Sequence, residues 1–171
     1  MIYPIVKYGD LVLERPAGLI TEFDSPELQQ LIEDMFESMY AAKGVGLAAP
    51  QIGIAKRIAV IDTSAGEDES GKVVMINPEI VQVEGLQTNE EGCLSIPGFR
   101  EQVTRAKRVI VRERNAKGEK FEMEGEDLLA RAFLHETDHL DGRLYISHIS
   151  MLKRDLIRRK IRKLAKAGEW T

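Results

Sequence analysis

The sequence HETDHLDG, residues 135–142, is the stretch around which we expect the fold of this chain to be organised. On an α-helix, residues four apart share a face, so His135 and His139 can direct two imidazoles at one cation. Glu136 is too close in sequence to be a comfortable third ligand, but it can hold and deprotonate a water at the metal. The spacing predicts a metal-dependent hydrolase; the alternative is a helix that carries one packed and one solvated histidine by chance.

A third metal ligand has to come from elsewhere in the chain. In the longer form of this motif a third histidine follows the glycine, but Tyr145 occupies that place. His148 is the only other histidine, and it lies beyond Gly142, where we expect the helix to end. The single cysteine, Cys93, lies in EGCLSIPG at residues 91–98, a turn that would present a side chain, although a lone cysteine is more often a buried apolar residue. Cys93 is therefore the candidate third ligand.

Three segments together resemble the signature motifs of the peptide deformylase family. They are GVGLAAPQ at residues 44–51, EGCLS at 91–95 and HETDH at 135–139, in the order and spacing of that family. The likeness runs from residue 5 to the C-terminal helix. The resemblance implies an enzyme that removes the N-formyl group from the initiator methionine of a nascent peptide and releases formate.

The resemblance also implies a role for each residue of the site. Cys93, His135 and His139 would hold a divalent metal and leave a fourth position open for water. Glu136 would take the proton of that water and pass it to the departing nitrogen. The groups expected to stabilise the oxyanion or to contact substrate are Gln51, the backbone N–H of Leu94, Val45 and Gly46.

The residues themselves leave other interpretations open at several positions. The glycines at 44 and 46 could form an ordinary helix C-cap and turn, and Gln51 could merely satisfy a neighbouring carbonyl. A His₂Cys site accommodates Fe²⁺, Zn²⁺, Ni²⁺ or Co²⁺, and the resemblance implies one Fe²⁺ in the cell. A zinc endopeptidase would need a third ligand other than Cys93. A noncatalytic ribosome- or RNA-associated module would need a closed site with four protein ligands.

Composition bounds the class of protein. The 171 residues are expected to form a single catalytic domain. The net charge of −4 does not favour nucleic-acid binding by the chain as a whole. One cysteine excludes an internal disulfide and fits a reducing compartment. We see no apolar stretch long enough to span a bilayer, and we expect a cytoplasmic protein or a mature organellar form.

The pattern of apolar residues predicts an α+β fold with antiparallel sheets packed around the metal-binding helix. Ser25 and Pro26 begin an N-terminal helix that runs to about Ala42. Strands are expected at 57–62, 73–76 and 79–83, followed by a hairpin that joins 109–114 to 121–124. There is no alternation of strand and helix that would indicate a parallel sheet.

Two helical stripes carry further predictions. Leu128 and Ala132 precede the histidines on one face of the metal helix, so they either wall a pocket suited to an unbranched side chain such as methionine or pack in the core. The C-terminal helix, residues 152–167, has eight basic residues against one acidic residue. These form either a solvated face or a docking surface for an anionic partner, and the resemblance implies the ribosome near its peptide exit.

Overall fold

The structure is a computed structural model and describes residues 1–170. Within that range it has three α-helices and seven β-strands, with short 3₁₀ turns at 11–14, 49–52, 69–71 and 145–148. The elements in chain order are α1 (Pro26–Ala41), β1 (Gly46–Ala48), β2 (Ile58–Asp62), β3 (Lys72–Glu84), β4 (Gln87–Cys93), β5 (Ile96–Arg105), β6 (Arg108–Arg114), β7 (Lys120–Glu126), α2 (Asp127–Leu140) and α3 (Met151–Lys166).

The main sheet has five strands in the order β1-β2-β3-β6-β7, and every neighbouring pair is antiparallel. The hairpin of β6 and β7 shows why the chain folds this way locally. Val109 and Val111 are buried and alternate with more exposed residues, the pattern of a strand with one face in the core. The predicted α+β class with antiparallel sheets is confirmed.

Helices α1 and α2 pack on opposite faces of this sheet. Strand β2 is buried on both faces: Ala59 and Ile61 belong to the core cluster of α2, and Ile58 and Val60 to that of α1. The predicted start of α1 is confirmed, since the Ser25 side chain accepts a hydrogen bond from the backbone N–H of Leu28. Helix α2, which carries the HETDH motif, therefore lies in the middle of the molecule.

Two expectations about strands were wrong. Residues 72–84 form one continuous strand, because a bulge between Ile76 and Glu79 accommodates Pro78 without ending the sheet. The segment around Cys93 is not a bare turn: β4 and β5 pair as a separate two-stranded sheet, with Cys93 at the end of β4. Much of this hairpin is exposed and polar, so it lacks the apolar alternation that marks a strand in sequence.

The C-terminal helix α3 covers the hairpin. Ile157 and Ile161 are buried with Ile96 and Val103, which fixes the helix against β5. Leu152, at the start of the helix, is 70% exposed and does not belong to this packed face. None of the helices within residues 1–170 is long and apolar enough to cross a membrane.

Candidate metal centre and active site

Three predicted ligand atoms converge at the contact between α2 and the β4–β5 hairpin. The Nε2 atoms of His135 and His139 are 3.2 Å apart, and the Sγ of Cys93 lies 3.3 Å from Nε2 of His139. All three ligand atoms lie within 4.8 Å of one another. Ligands of a tetrahedral ion with these donors are separated by about 3.3–3.6 Å, so the donor set fits a single divalent metal.

The ring of His135 is oriented by Glu91. Nδ1 of His135 lies 3.0 Å from Oε2 of Glu91, which leaves Nε2 to face the other two ligand atoms. Arg105 donates two hydrogen bonds to Glu91, of 2.9 and 2.7 Å, and Arg131 donates a third of 2.7 Å. Burial alone would raise the pKa of Glu91, but His135 and Arg105 outweigh it and hold that pKa far below its usual range. Glu91 is therefore a buried carboxylate that stays ionised.

A second layer of charge extends this network to the surface. Arg105 also contacts Asp138, with 2.9 Å between Nη1 and Oδ2. The same oxygen of Asp138 lies 2.8 Å from Nε2 of His148. His148 is partly exposed and does not belong to the three convergent ligand atoms. It lies at the outer end of this hydrogen-bond network.

The electrostatics of the site favour a thiolate at Cys93. Burial raises the pKa of the Cys93 thiol, but the imidazoles of His139 and His135 more than offset burial and lower it to about 5. The thiolate is the form of cysteine that binds metals. His139 Nδ1 is buried and has no hydrogen-bond partner among residues 1–170, so its ring is held by packing.

The carboxylate of Glu136 lies beside this centre and lines the adjoining cavity. The side chain is only 4% exposed, and its Oε1 has no hydrogen-bond partner in the described part of the chain. Burial raises the pKa of Glu136, although the charges of His135 and His139 oppose that effect. A buried carboxylate with a free oxygen and a raised pKa is suited to accept and release a proton.

Gln51 is fixed so that its amide donor faces the metal centre. Its Oε1 accepts a hydrogen bond of 3.0 Å from the backbone N–H of Ala48. The Nε2 group consequently points toward Ser95 Oγ, at 3.2 Å, and Cys93 Sγ, at 3.5 Å. An amide held in this way can donate to a negative charge that develops nearby.

A cavity of 570 Å³ opens beside the centre. All residues predicted to contact substrate line this cavity: Val45, Gly46, Leu128 and Ala132. Leu94, in the turn of the β4–β5 hairpin, lines it as well. Leu128 is half exposed at 49%, whereas Ala132 is buried at 5%. The stripe on α2 thus becomes deeper toward the histidines, and Ala132 both lines the cavity and belongs to a buried core cluster.

Sequence reasoning missed the charged residues that support the ligands. Glu91 precedes Cys93 by two residues in the EGCLS motif, which could have indicated that it lies near the third ligand, although a bulge between Gly92 and Cys93 interrupts the alternation of β4. Arg131 is a charged residue inside an otherwise apolar segment one turn before His135, and a buried arginine needs a partner. No pattern in the sequence indicates Arg105 as a partner of Glu91.

Comparison with known proteins gives consistent matches over almost the whole chain. Residues 2–155 match the family model described as Polypeptide deformylase. A peptide deformylase of Acidobacterium capsulatum is 62% identical over 170 residues, which cover 99% of both chains. A peptide deformylase of Thermodesulfovibrio yellowstonii is 50% identical over 161 residues, 94% of this chain and 97% of the relative. The crystal structure of a peptide deformylase from Legionella pneumophila is similar at a TM-score of 0.90 and 43% identity, covering 100% of this chain and 99% of that one.

Proposed function

Because this chain belongs to the polypeptide deformylase family, and is thus a hydrolase that removes the N-formyl group from newly made polypeptides, we propose how its own residues carry out that reaction. The observation that carries the proposal is the convergence of Cys93, His135 and His139 beside the buried carboxylate of Glu136. The three ligands would hold one divalent metal. When bound, the metal supplies Lewis acidity that activates water and polarises the formyl carbonyl.

Glu136 moves the protons of the reaction. Its carboxylate takes a proton from the attacking water and delivers it to the nitrogen that leaves as the free amine. The buried position of Glu136 and its raised pKa support this role, because burial makes its carboxylate a stronger base than an exposed one. The water adds to the formyl carbon, the carbon–nitrogen bond breaks, and formate leaves.

Gln51 and the backbone N–H of Leu94 stabilise the oxygen of the formyl group as it becomes negative. The amide of Gln51 is already oriented by Ala48 and loses little freedom during the reaction. Leu94 directly follows Cys93 and lines the cavity, so its N–H is within the same part of the site. The methionine side chain lies along Val45, Gly46, Leu128 and Ala132.

The three ligand atoms, one thiolate and two imidazoles, bear on the identity of the metal and on the compartment of the enzyme. We propose Fe²⁺ as the ion in the cell, with Zn²⁺, Ni²⁺ or Co²⁺ able to replace it, since thiolate and imidazole ligands suit all four. A site built on one thiolate functions best in a reducing compartment, so we place the enzyme in the cytoplasm or inside an organelle. Residues 1–171 would act as one catalytic domain.

Helix α3 is the candidate surface for docking on the ribosome. Ile157 and Ile161 fix the helix to β5, and six of its eight basic residues are exposed, namely Lys153, Arg159, Lys160, Arg162, Lys163 and Lys166. Leu152 and Leu156 are exposed on the same helix, at 70% and 46%. An outward face with both cations and exposed apolar side chains fits a partner that offers phosphates and some apolar surface.

The test is formate release measured with metal content. The protein would be purified without oxygen and assayed on a formyl-Met peptide, and the metal would be quantified on the same sample. We expect formate release with one equivalent of metal and loss of both in Cys93→Ala. Glu136→Ala should keep its metal and lose roughly 10² to 10⁴ in rate.

Other outcomes would contradict specific parts of the proposal. Turnover of metal-loaded Glu136→Ala at the unmodified rate would overturn the role of Glu136. Metal without formate release would favour a peptidase. A protein that bound no metal under any of these conditions would contradict the ligand set.

A further inference from the structure

The chain after helix α3 turns back toward the substrate cavity. Gly168 adopts a positive φ of 73°, and the N–H of Glu169 donates a hydrogen bond of 2.8 Å to the carbonyl of Leu164. This is the geometry in which a glycine ends a helix and reverses the chain. The reversal directs the following residue, Trp170, away from the helix axis and against the hairpin.

Trp170 joins two segments that otherwise lie apart in the sequence. Its Nε1 donates a hydrogen bond of 2.9 Å to the carbonyl of Tyr8, and its ring meets the ring of Phe99 edge to face, with 6.3 Å between centroids. The N–H of Tyr8 in turn donates to the carbonyl of Ser95, at 2.8 Å. Trp170 therefore contacts both the N-terminal segment, at Tyr8, and β5, at Phe99.

Phe99 is the residue through which this contact reaches the site. It lines the cavity, as do Leu128 and Ala132, but it comes from β5, whereas they come from α2. Phe99 follows Gly98, which has a positive φ of 87° and open space where a side chain would be. The ring is only partly buried, and its edge-to-face contact with Trp170 is part of its packing.

We propose that Trp170 is a positioning residue for peptide recognition: it holds the Phe99 ring as an apolar wall for the residues that follow the formyl-methionine. The cavity is larger than one methionine side chain fills, so the part beside β5 is available to the next residues of the peptide. This inference rests on the deformylation proposed above and adds a determinant of substrate specificity. The preferred substrates are peptides with an apolar residue after methionine.

The experiment compares two substrates that differ in length. Formyl-Met amide has nothing beyond the methionine, and formyl-Met-Leu-Leu has two further apolar residues. Trp170→Ala should raise KM for the longer substrate by roughly two- to tenfold, the size expected for the loss of one aromatic pair, with kcat unchanged. Neither constant should change for formyl-Met amide, and Trp170→Phe should restore most of the loss because it keeps an aromatic ring.

A double-mutant cycle shows whether Trp170 acts through Phe99. In a Phe99→Ala background, Trp170→Ala should have no further effect on KM for the longer substrate. Equal losses on both substrates, or effects that add in the double variant, would overturn the proposal. An unmodified enzyme that released formate from neither substrate would instead refute the deformylation itself, so the two failures are distinguishable.

Discussion

The backbone of Gly46 lies directly against the carboxylate of Glu136, so closely that a Cβ at residue 46 would overlap Oε2. Because Oε2 is the end of a side chain that lines the cavity, a Cβ at residue 46 would displace the carboxylate of Glu136 from its present position. The second glycine of the GVGLAAPQ motif is therefore required by the position of the proposed base, in addition to any contact that its backbone makes with substrate.

Gly46→Ala should lower kcat by about 10²-fold, because a displacement of the base by about an ångström has an effect of that size. Metal content should stay at one equivalent. Gly18→Ala is a matched control, since a Cβ there would meet only the carbonyl oxygen of Ala55 at 3.6 Å, an ordinary contact. A Gly46→Ala enzyme with normal kcat would contradict the proposed placement of Glu136.

Gln51→Leu should lower kcat by about 10²- to 10³-fold, since it removes a donor to the developing oxyanion. Some stability should also be lost because the N–H of Ala48 loses its acceptor. Ser95→Ala is the control: it removes an acceptor for the Gln51 amide and leaves the donor in place. Steady-state rates of both variants on formyl-Met peptides check this, and equal rates in the two would count against the role of Gln51.

Glu91→Gln should weaken metal binding by roughly 10- to 100-fold, because the carboxylate that orients His135 loses its charge. Arg131 would keep a buried charge with no compensating carboxylate, and Arg105 would keep only Asp138, so the free energy of unfolding should fall by roughly 3–5 kcal/mol. Competition with a chelator and denaturant titration measure the two effects. Glu122→Gln, which breaks only an exposed pair with Arg112, should change neither.

Glu113 gives a prediction about pH. Its carboxyl is 2% exposed, neither oxygen has a partner within residues 1–170, and burial raises its pKa from 4.5 to about 8. The folded protein therefore keeps a proton that the unfolded chain releases, so Glu113 lowers stability as pH rises from 4.5 to about 8.

Glu113→Gln should remove this dependence. We expect it to stabilise the protein at pH 8 by on the order of 3 kcal/mol and to have little effect at pH 4. Urea midpoints at the two pH values measure the difference. An equal gain at both values would mean that the pKa of this carboxyl is the same in the folded protein as in the unfolded chain.

Reversing charge on α3 should abolish ribosome binding and leave catalysis intact. The triple variant Arg159→Glu, Arg162→Glu, Lys163→Glu changes exposed side chains that lie outside the residues lining the cavity. Co-sedimentation with ribosomes should decrease, and binding of the unmodified enzyme should weaken with salt. The matched control carries the same charge change in Lys107→Glu, Lys117→Glu, Lys120→Glu. Loss of binding in both triple variants would indicate a nonspecific charge effect.

Local patterns were enough to predict much of the fold. The cap at Ser25, the apolar periodicity of α1 and the valines of β6 are determined within a few residues, and the structure follows them. The β4–β5 hairpin was missed because its strands are held by pairing with each other and by α3 from one side. An exposed, polar strand has no periodic signal, so only the tertiary structure identifies it.

The site likewise has parts that the sequence predicted and parts that only the structure shows. The three motifs could be read from sequence, and the structure brings Cys93 to His139 across 46 positions of the chain. The ion pairs around Glu91 could not be predicted from the sequence. Arg105 and Arg131 are 14 and 40 positions away from Glu91, and nothing in the sequence around either arginine specifies its partner. Such pairings depend on how the hairpin is laid on α2, which only the packed structure determines.

The separation of Cys93 from the histidines has a mechanical consequence. An ion held by all three would act as a cross-link between the hairpin and α2, closing a loop of 46 positions. Because the ion would bind the folded site and not the unfolded chain, its binding free energy would add to the stability of the fold. The cofactor would then fasten together the two parts of the molecule that form its own site, and loss of the metal would loosen the hairpin as well as stop the reaction.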